Sequence, residues 1–307
     1  MSMKQTLQIW LDAARPKTLP LALVSILTGS VLAFSSHHFS LSVAVLAFIT
    51  ATLLQILSNL ANDYGDAVKG TDNEARLGPT RAIQSGAVTP KTMKQAIIVN
   101  VILTMIAGLI LVLHALTSWE SILAFIGLGL LAIGAAIAYT VGNKPYGYVG
   151  LGDISVFIFF GLLGVAGTYF LHTGIVDLSL ALPAIGCGLL AVAVLNINNM
   201  RDIENDELCG KRTVAVRLGQ QRAKQYHFVL LAGAVCAFIA YLLLQPSPVW
   251  VMLPFLLSLM VTFKHGKAVW LAEQPAQIAP MMPVVVKCSL VTNLLFAGVV
   301  IAQTLVS

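Results

Sequence analysis

Two short stretches concentrate carboxylate and carboxamide side chains at the ends of long apolar runs. The first lies within Ser58–Gly86 and the second within Asn196–Gly219. Carboxylates are costly beside hydrocarbon, so such clusters indicate functional sites. The first acidic cluster is Asn62, Asp66 and Asp72, and the second acidic cluster is Asn198, Asp202 and Asp206.

The two clusters share a spacing. Asn62 precedes Asp66 as Asn198 precedes Asp202, and Asp206 follows at the same interval. Steps of four residues on an α-helix rotate the side chain by only ~40°, so each set is expected on one helix face. Two such faces at one membrane surface would form a single shared site.

Hard oxygen ligands of this kind suit Mg²⁺, which usually binds through a few carboxylates together with substrate phosphates. Basic side chains interleaved with the acids favour a polyanion such as diphosphate. Neutralised diphosphate is a leaving group, and its loss from an allylic carbon leaves a carbocation that an electron-rich ring can capture. The interleaved basic residues are Lys69, Arg76 and Arg81 in the first stretch and Arg201, Lys211 and Arg212 in the second.

The amino-acid composition indicates that these clusters belong to a membrane protein. Of 307 residues, 58% are hydrophobic and 10% are charged, whereas soluble domains carry about 25% charged residues. The four cysteines have neither disulfide nor metal-ligand spacing. The net charge of +5 is better explained by membrane topology than by nucleic acid, which is not expected as a partner.

The expected fold is all-α, a polytopic bundle of nine transmembrane helices in a single domain, 1–307. Each crossing needs about 20 apolar residues. The predicted spans are 18–36, 41–62, 95–115, 120–141, 151–172, 179–200, 227–245, 248–264 and 282–304. Helices two and six both end in an acidic cluster, which indicates two weak repeats, roughly 1–141 and 151–307.

The connections between the predicted spans alternate in charge, and this alternation predicts the orientation. With nine spans every Lys and Arg falls on one side, which indicates a cytoplasmic N-terminus and an outside C-terminus. Both clusters then lie at the cytoplasmic face of the cytoplasmic (inner) membrane. Arg76, like Arg217, Arg222 and Lys224, is interpreted mainly as topogenic charge at the lipid headgroups.

The motifs NDYGDAVKGTD, GPTRAIQSG and NNMRDIENDELCGKRTVAVRLG together resemble those of the UbiA-type intramembrane prenyltransferases. Gly70 stands where the commoner pattern has a third carboxylate, and a glycine there would break the helix and turn Asp72 back toward the site. This variant resembles the branch of the family that prenylates 1,4-dihydroxy-2-naphthoate in menaquinone synthesis. The resemblance extends from Ala14 to Gly219.

The resemblance implies a reaction and a set of roles. A long polyprenyl diphosphate, expected to be octaprenyl, would alkylate 1,4-dihydroxy-2-naphthoate with loss of CO₂ and diphosphate, giving demethylmenaquinone. The implied Mg²⁺ ligands are Asn62, Asp66, Asp72, Asn198, Asp202 and Asp206, whose carboxylates are also the expected catalytic groups. The expected diphosphate contacts are Arg15, Arg81, Arg201, Lys211 and Arg212. Tyr139 and Lys144 are expected near the acceptor or the diphosphate.

Two alternatives remain open at this point. Another aromatic acceptor, such as 4-hydroxybenzoate, would use the same fold and the same charged groups. A transporter, or a cation- or lipid-binding membrane protein, would instead need a second polar cluster on the far side, where only Glu120, Asp177 and histidines occur. The sequence does not determine the oligomeric state.

Overall fold

The computed structural model describes residues 3–306, and within them regular structure is helical, without strands. Short 3₁₀ turns occur in several connections, including Tyr146–Val149. The helices are α1 (Met3–Ala14), α2 (Leu19–Ser35), α3 (Leu41–Lys69), α4 (Pro90–Ala115), α5 (Trp119–Ala138), α6 (Gly152–Thr173), α7 (Leu178–Arg201), α8 (Ile203–Leu208), α9 (Val214–Leu244), α10 (Val249–Leu271) and α11 (Pro275–Val306).

Within residues 3–306, eight helices are each long and apolar enough to cross a membrane. These are α3 to α7 and α9 to α11. Helices α1 and α2 together pass the same test as a pair bent by 56°, which gives a ninth candidate span. The predicted all-α, multi-pass bundle is therefore confirmed.

Several helix ends extend beyond the predicted spans, and two of them lie beside the acidic clusters. Helix α3 continues past 62 to Lys69 and ends at Gly70, whose φ of 75° lies in the left-handed region. Helix α9 begins at Val214 rather than near 227 and is interrupted at Gly219. In both cases polar residues extend the helix beyond its apolar part, where hydropathy carries no signal.

Helix α7 lies at the centre of the bundle and packs against α6 and α9. Its glycines allow the close approach: a Cβ at Gly186 would lie 2.8 Å from the Phe238 ring. Phe238, Phe255 and Phe296 form an aromatic core beside it, with the Phe238 and Phe296 ring centroids 4.6 Å apart. Burial of large side chains here holds α7, and with it the second acidic cluster, in a fixed position.

Helix α6 changes to π-helical hydrogen bonding over Phe157–Gly167. Such wide turns are rare and often occur at functional sites. The hydroxyl of Ser25 on α2 donates to the Phe160 carbonyl at 2.5 Å, which ties the segment to the neighbouring helix. Phe159, Phe160 and Leu163 of this segment form part of a cavity wall.

Candidate active site

The first acidic cluster is positioned by close contact between the end of α3 and the residues that follow α5. A Cβ at Gly65 would lie 2.7 Å from the backbone carbon of Thr140, so only glycine allows this approach. The Thr140 hydroxyl donates to the Ala61 carbonyl at 3.0 Å. Asn62 and Asp66, on either side of this contact, therefore have defined positions.

The turn after α3 returns Asp72 toward the helix that precedes it. Gly70 takes the left-handed conformation, and the Thr71 N–H donates to the Asp66 carbonyl at 2.9 Å. The Asp72 side chain is only 1% exposed. Burial is the main cause that raises the pKa of Asp72 to about 6, and the charge of Asp66 is the second cause.

The second acidic cluster does not lie on one continuous helix, which corrects the sequence prediction. Helix α7 ends at Arg201, Asp202 has φ −103° and ψ 16°, and Asp206 belongs to the short helix α8. The Asp206 N–H still donates to the Asp202 carbonyl at 2.8 Å, so the two residues remain one turn apart. The Arg201 guanidinium binds the Asp202 carboxylate and donates to Asn198 Oδ1 at 2.9 Å.

Arg76 joins the two clusters. Its Nε atom lies 3.3 Å from Asp72 Oδ1 and 3.6 Å from Asp202 Oδ2. The Asn205 amide also donates to the Thr71 carbonyl at 2.9 Å, which links the loop after α3 to α8. The two clusters therefore face each other, with a buried guanidinium between them.

Two further arginines bind the neighbouring carboxylate of Asp63. Arg15 forms an ion pair with Asp63, and Arg81 Nε lies 3.5 Å from the same carboxylate. Burial is the main cause that lowers the pKa of Arg81 to about 9, and the positive charges of Arg15 and Arg76 lower it further. Crowded guanidinium groups of this kind favour the binding of an anion.

Arg15 also has an unusual backbone conformation, with φ 54° in the turn between α1 and α2. Non-glycine residues are rarely found there and are held by their surroundings. The Asn59 amide donates to the Ala14 carbonyl at 2.9 Å, which fixes this turn against α3.

Tyr148 contributes to the site although sequence reasoning did not name it. Its hydroxyl donates to Asp66 Oδ1 at 2.8 Å and lies 2.6 Å from the Thr71 hydroxyl. Lys211 Nζ lies 5.4 Å from the centre of the Tyr148 ring and 3.5 Å from Asp206 Oδ1. Burial opposes the charge on Lys211, but the nearby carboxylates outweigh burial and raise its pKa. Tyr148 lies in the sequence GYVGLGD, and nothing in its spacing links it to either acidic cluster.

A cavity of about 820 Å³ connects these charges with the apolar interior. Its apolar wall comes largely from α3, α4, α5 and α6, with Leu54, Phe125 and Phe159 among its side chains. Ile102 and Leu130 line this wall and are each about half exposed, so the cavity is not fully closed between α4 and α5. Its charged and polar end contains Arg15, Asn62, Asp66, Arg76, Arg81, Tyr139, Asn198, Asp202, Asp206 and Lys211.

Four of the predicted site residues lie outside the cavity lining. Asp72 is buried against Arg76, and Arg201 is buried against Asp202. Lys144 lies in an exposed connection, and Arg212 is exposed with its Nη1 3.0 Å from Glu207 Oε1. The structure therefore gives Asp72 and Arg201 positioning contacts and does not bring Lys144 or Arg212 to the cavity.

The donor groups fit a hard cation shared with a ligand. Among the described residues, no three carboxylate, imidazole or thiolate side chains already converge as a complete metal site. Both carboxylate oxygens of Asp72 are nevertheless buried without a hydrogen-bond donor. Mg²⁺ commonly takes only one or two protein carboxylates and completes its shell with phosphate oxygens and water.

These features define a multi-pass membrane protein in which two acidic clusters face each other at the charged end of a largely apolar cavity. The chain belongs to the UbiA prenyltransferase family, whose model matches residues 22–291.

Two similar relatives are both named 1,4-dihydroxy-2-naphthoate octaprenyltransferase. The Escherichia coli protein is 49% identical over 96% of this chain and 96% of its own length. The Haemophilus influenzae protein is 48% identical over 95% of this chain and 96% of its own length. Among solved structures, a UbiA homologue from Archaeoglobus fulgidus bound to DMAPP and Mg²⁺ shares the fold, with a TM-score of 0.63 and 17% identity over 97% of this chain and 100% of its own.

Proposed function

We propose that this prenyltransferase transfers an octaprenyl chain from octaprenyl diphosphate to 1,4-dihydroxy-2-naphthoate in menaquinone biosynthesis. The bond between the allylic carbon C1 and the diphosphate oxygen breaks, and diphosphate leaves with the electron pair. A carbon–carbon bond forms at the ring carbon that bears the carboxylate. Release of CO₂ returns its bonding electrons to the ring, so the direct product is the hydroquinone demethylmenaquinol, and a separate two-electron oxidation gives demethylmenaquinone.

The observation that carries the proposal is the meeting of the two acidic clusters around Arg76, at the charged end of an apolar cavity. A diphosphate head at this end would leave its isoprenoid chain among the apolar side chains of α4, α5 and α6. The acceptor is proposed from the names of the relatives that are 48% and 49% identical along nearly the whole chain.

The basic side chains of the cavity would hold the diphosphate. Arg15, Arg81 and Lys211 all reach its charged end. In the described structure their partners are Asp63 for both arginines and Asp206 for the lysine. Phosphate oxygens would compete for the same N–H donors, which supply charge-assisted hydrogen bonds where negative charge develops on the leaving group.

Mg²⁺, when bound, would neutralise part of the negative charge of the diphosphate and so make it a better leaving group. The cavity side chains that would hold the ion are Asn62 and Asp66 on one side and Asn198, Asp202 and Asp206 on the other. Arg201 orients Asn198 and Asp202 for this task through its hydrogen bonds to both. Asp72 would help to hold the same ion after a small movement of Arg76.

Tyr139 would contact the reacting centre. Its ring lines the cavity and packs edge-on against Tyr146 with centroids 5.3 Å apart. Burial, and then the charges of Asp153 and Asp66, raise the pKa of its hydroxyl, which therefore stays protonated. The electron-rich ring would stabilise developing positive charge on the allylic carbon, and the hydroxyl would serve as a donor to the acceptor.

We also propose that the site opens to the cytoplasmic side of the inner membrane. The basic residues of the connections support this orientation through the positive-inside rule. The water-soluble acceptor would then enter from the cytoplasm, and the polyprenyl diphosphate would enter from the bilayer.

A competition assay with purified protein tests the proposal. The protein receives octaprenyl diphosphate, Mg²⁺ and equal amounts of 1,4-dihydroxy-2-naphthoate and 4-hydroxybenzoate, and the products are separated by mass. Demethylmenaquinol, recovered as demethylmenaquinone after oxidation in air, should dominate, and chelation of Mg²⁺ should abolish it. Prenylated 4-hydroxybenzoate as the main product would reject the acceptor, and full activity after chelation would reject the metal requirement.

A further inference from the structure

Gln55 is a buried side chain of the cavity wall that has no hydrogen-bond partner. It is 9% exposed, and no donor reaches its Oε1 atom. Two other polar side chains of the wall are satisfied within their own helices: Thr50 donates to the Leu46 carbonyl, and Thr104 donates to the Asn100 carbonyl, each at 2.8 Å. An unpaired amide oxygen away from water is costly, so its retention in the cavity points to a ligand.

Gln55 belongs to a polar line on α3 that leads from the first acidic cluster into the apolar cavity. Ser58 and Asn62 follow it at positions i+3 and i+7, which lie on the same face of a helix. All three residues line the cavity. Gln55 and Asn62 are separated by roughly 10 Å along the helix axis, at a rise of about 1.5 Å per residue. The interval leaves room for the reacting allylic carbon and one aromatic ring system.

We propose that Gln55 is the residue that recognises the aromatic acceptor, by hydrogen bonding the ring hydroxyl that lies farthest from the reacting carbon. The inference rests on the proposed function, because it places that acceptor within the same cavity. In 1,4-dihydroxy-2-naphthoate the reacting carbon is position 2, so the hydroxyl in question is at position 4. The hydroxyl donates to Oε1, and the Gln55 amide N–H can donate to the same ring oxygen.

The isoprenoid chain would not satisfy Gln55, because it has no polar atoms. An isoprene unit against this amide would leave Oε1 unpaired and bury it further. The apolar side chains of α4 and α5 offer the chain a path without that cost. The polar line on α3 and the apolar wall opposite would thus separate the acceptor from the prenyl chain.

The test compares Gln55→Met, which keeps the length of the side chain but removes the amide, with the wild-type protein. The KM for 1,4-dihydroxy-2-naphthoate should rise about tenfold, the value of one hydrogen bond to a buried group. The KM for octaprenyl diphosphate should stay within about twofold, which also reports an intact fold. Gln55→Asn, which keeps an amide, should give a smaller rise.

An analogue of the acceptor tests which ring hydroxyl Gln55 recognises. Because 1-hydroxy-2-naphthoate lacks the hydroxyl at position 4, its inhibition constant as a competitor should be the same for the wild-type protein and for Gln55→Met. A tenfold weaker inhibition of the variant would contradict recognition of that hydroxyl.

Gln303→Met is the matched control. Gln303 is 6% exposed with an unpaired Oε1, but it lies on α11, away from the cavity lining, with its amide donating to the Leu242 carbonyl at 3.1 Å. The control should leave both KM values unchanged. An unchanged acceptor KM in Gln55→Met, or a changed KM for octaprenyl diphosphate, overturns the inference. Failure of the wild-type protein to prenylate the naphthoate would instead overturn the proposed function.

Discussion

Arg76 is the residue on which the charge balance of the site depends. Its guanidinium lies between Asp72 and Asp202, and its side chain is only 7% exposed. Without a ligand it keeps two carboxylates from facing each other unneutralised, a situation that burial makes costly. When a diphosphate binds, the same guanidinium can turn to the phosphate oxygens.

Substitution of Arg76 should therefore separate metal binding from catalysis. In Arg76→Gln we expect kcat to fall about a hundredfold, as for other losses of a group that stabilises a leaving anion. The apparent affinity for Mg²⁺ should rise, because the two carboxylates lose their neutralising partner. Steady-state rates over a Mg²⁺ titration measure both effects.

Arg222→Gln is the control for this experiment, since Arg222 is an exposed residue of α9 and lines no part of the cavity. Its rate and Mg²⁺ dependence should match those of the wild-type protein. A kcat of Arg76→Gln within twofold of the wild-type value would contradict the role given to Arg76.

The raised pKa values of two carboxyl groups predict the pH dependence. Burial is the main cause of the rise of Asp72 and Asp206 to about 6, from an unperturbed value of about 3.9. Protons and Mg²⁺ compete for these oxygens, so at limiting Mg²⁺ the activity should fall as the pH drops below about 6. Saturating Mg²⁺ should move the midpoint to lower pH, and an unmoved midpoint would contradict this assignment.

Asp72 and Asp206 should affect the stability of the fold in the opposite direction to activity, so that they favour the folded state at low pH. Because their folded pKa values exceed the unfolded ones, the folded protein holds more protons between pH ~4 and ~6. Their contribution to stability is present below the unfolded pKa and is lost as the pH rises through the folded pKa. Without Mg²⁺, thermal unfolding should therefore show this contribution decreasing from pH 4 to pH 7.

The acidic clusters were predictable from sequence, whereas Arg76 was not. A carboxylate beside a long apolar run has few explanations other than function. An arginine at the cytoplasmic end of a span has two explanations, membrane topology and ligand binding. Only the contact of Arg76 with Asp72 and Asp202 distinguishes between these explanations. Tyr148 and Gln55 could not be recognised for the same reason, because their partners come from distant segments or from a ligand.

At the scale of the helices, the end of α3 controls the geometry of the first acidic cluster. The chain reverses at Gly70, whose φ of 75° lies in the left-handed region, and no atom lies within 4 Å of the position of a Cβ. A substitution there would therefore act through backbone strain alone. The prediction that Gly70 breaks the helix follows from glycine's conformational freedom, and the structure agrees.

Two substitutions at Gly70 should have different effects. Gly70→Val forces a β-branched residue into the left-handed region, so we expect a loss of about 1–2 kcal/mol in stability and a reduced kcat. Gly70→Asn should be tolerated, because asparagine adopts this conformation more readily. Thermal unfolding in detergent and the transfer rate measure the effects. Equal behaviour of the two variants would contradict a backbone origin.

The helices themselves were largely predictable, because hydrophobic length identifies a span without knowledge of its neighbours. The ends of the helices could not be predicted in this way, since α3 and α9 continue into polar sequence. The break at Asp202 was also missed. No glycine or proline marks it, and the local hydrogen bonds of Arg201 to Asp202 and Asn198 have no signature in hydropathy or spacing.

At the scale of the whole molecule, the bundle of residues 3–306 encloses a large cavity with charge at one end. The bent pair α1 and α2 counts as one crossing in the nine candidate spans of residues 3–306. If that pair crosses the membrane once, the number of crossings is odd, and the two termini are predicted to lie on opposite sides of the membrane. The connections rich in Lys and Arg lie on the side of the acidic clusters.

Reporter fusions test this orientation. A fluorescent protein inserted after Lys144, in the exposed connection between α5 and α6, should fold and fluoresce in the cytoplasm. Alkaline phosphatase fused to the C-terminus should be active, because that end is predicted to lie outside the inner membrane. Inactive phosphatase at the C-terminus, together with a non-fluorescent insertion after Lys144, would reverse the orientation.

The central claim is that both acidic clusters bind one diphosphate head together. Binding of an unreactive octaprenyl thiolodiphosphate, measured calorimetrically with and without Mg²⁺, tests it most directly. The wild-type protein should bind one equivalent in a Mg²⁺-dependent manner, and Asp66→Asn and Asp202→Asn should each abolish that binding, while the exposed control Asp12→Asn retains it. Two independent equivalents, or full binding after loss of either carboxylate, would contradict a site shared by the two clusters.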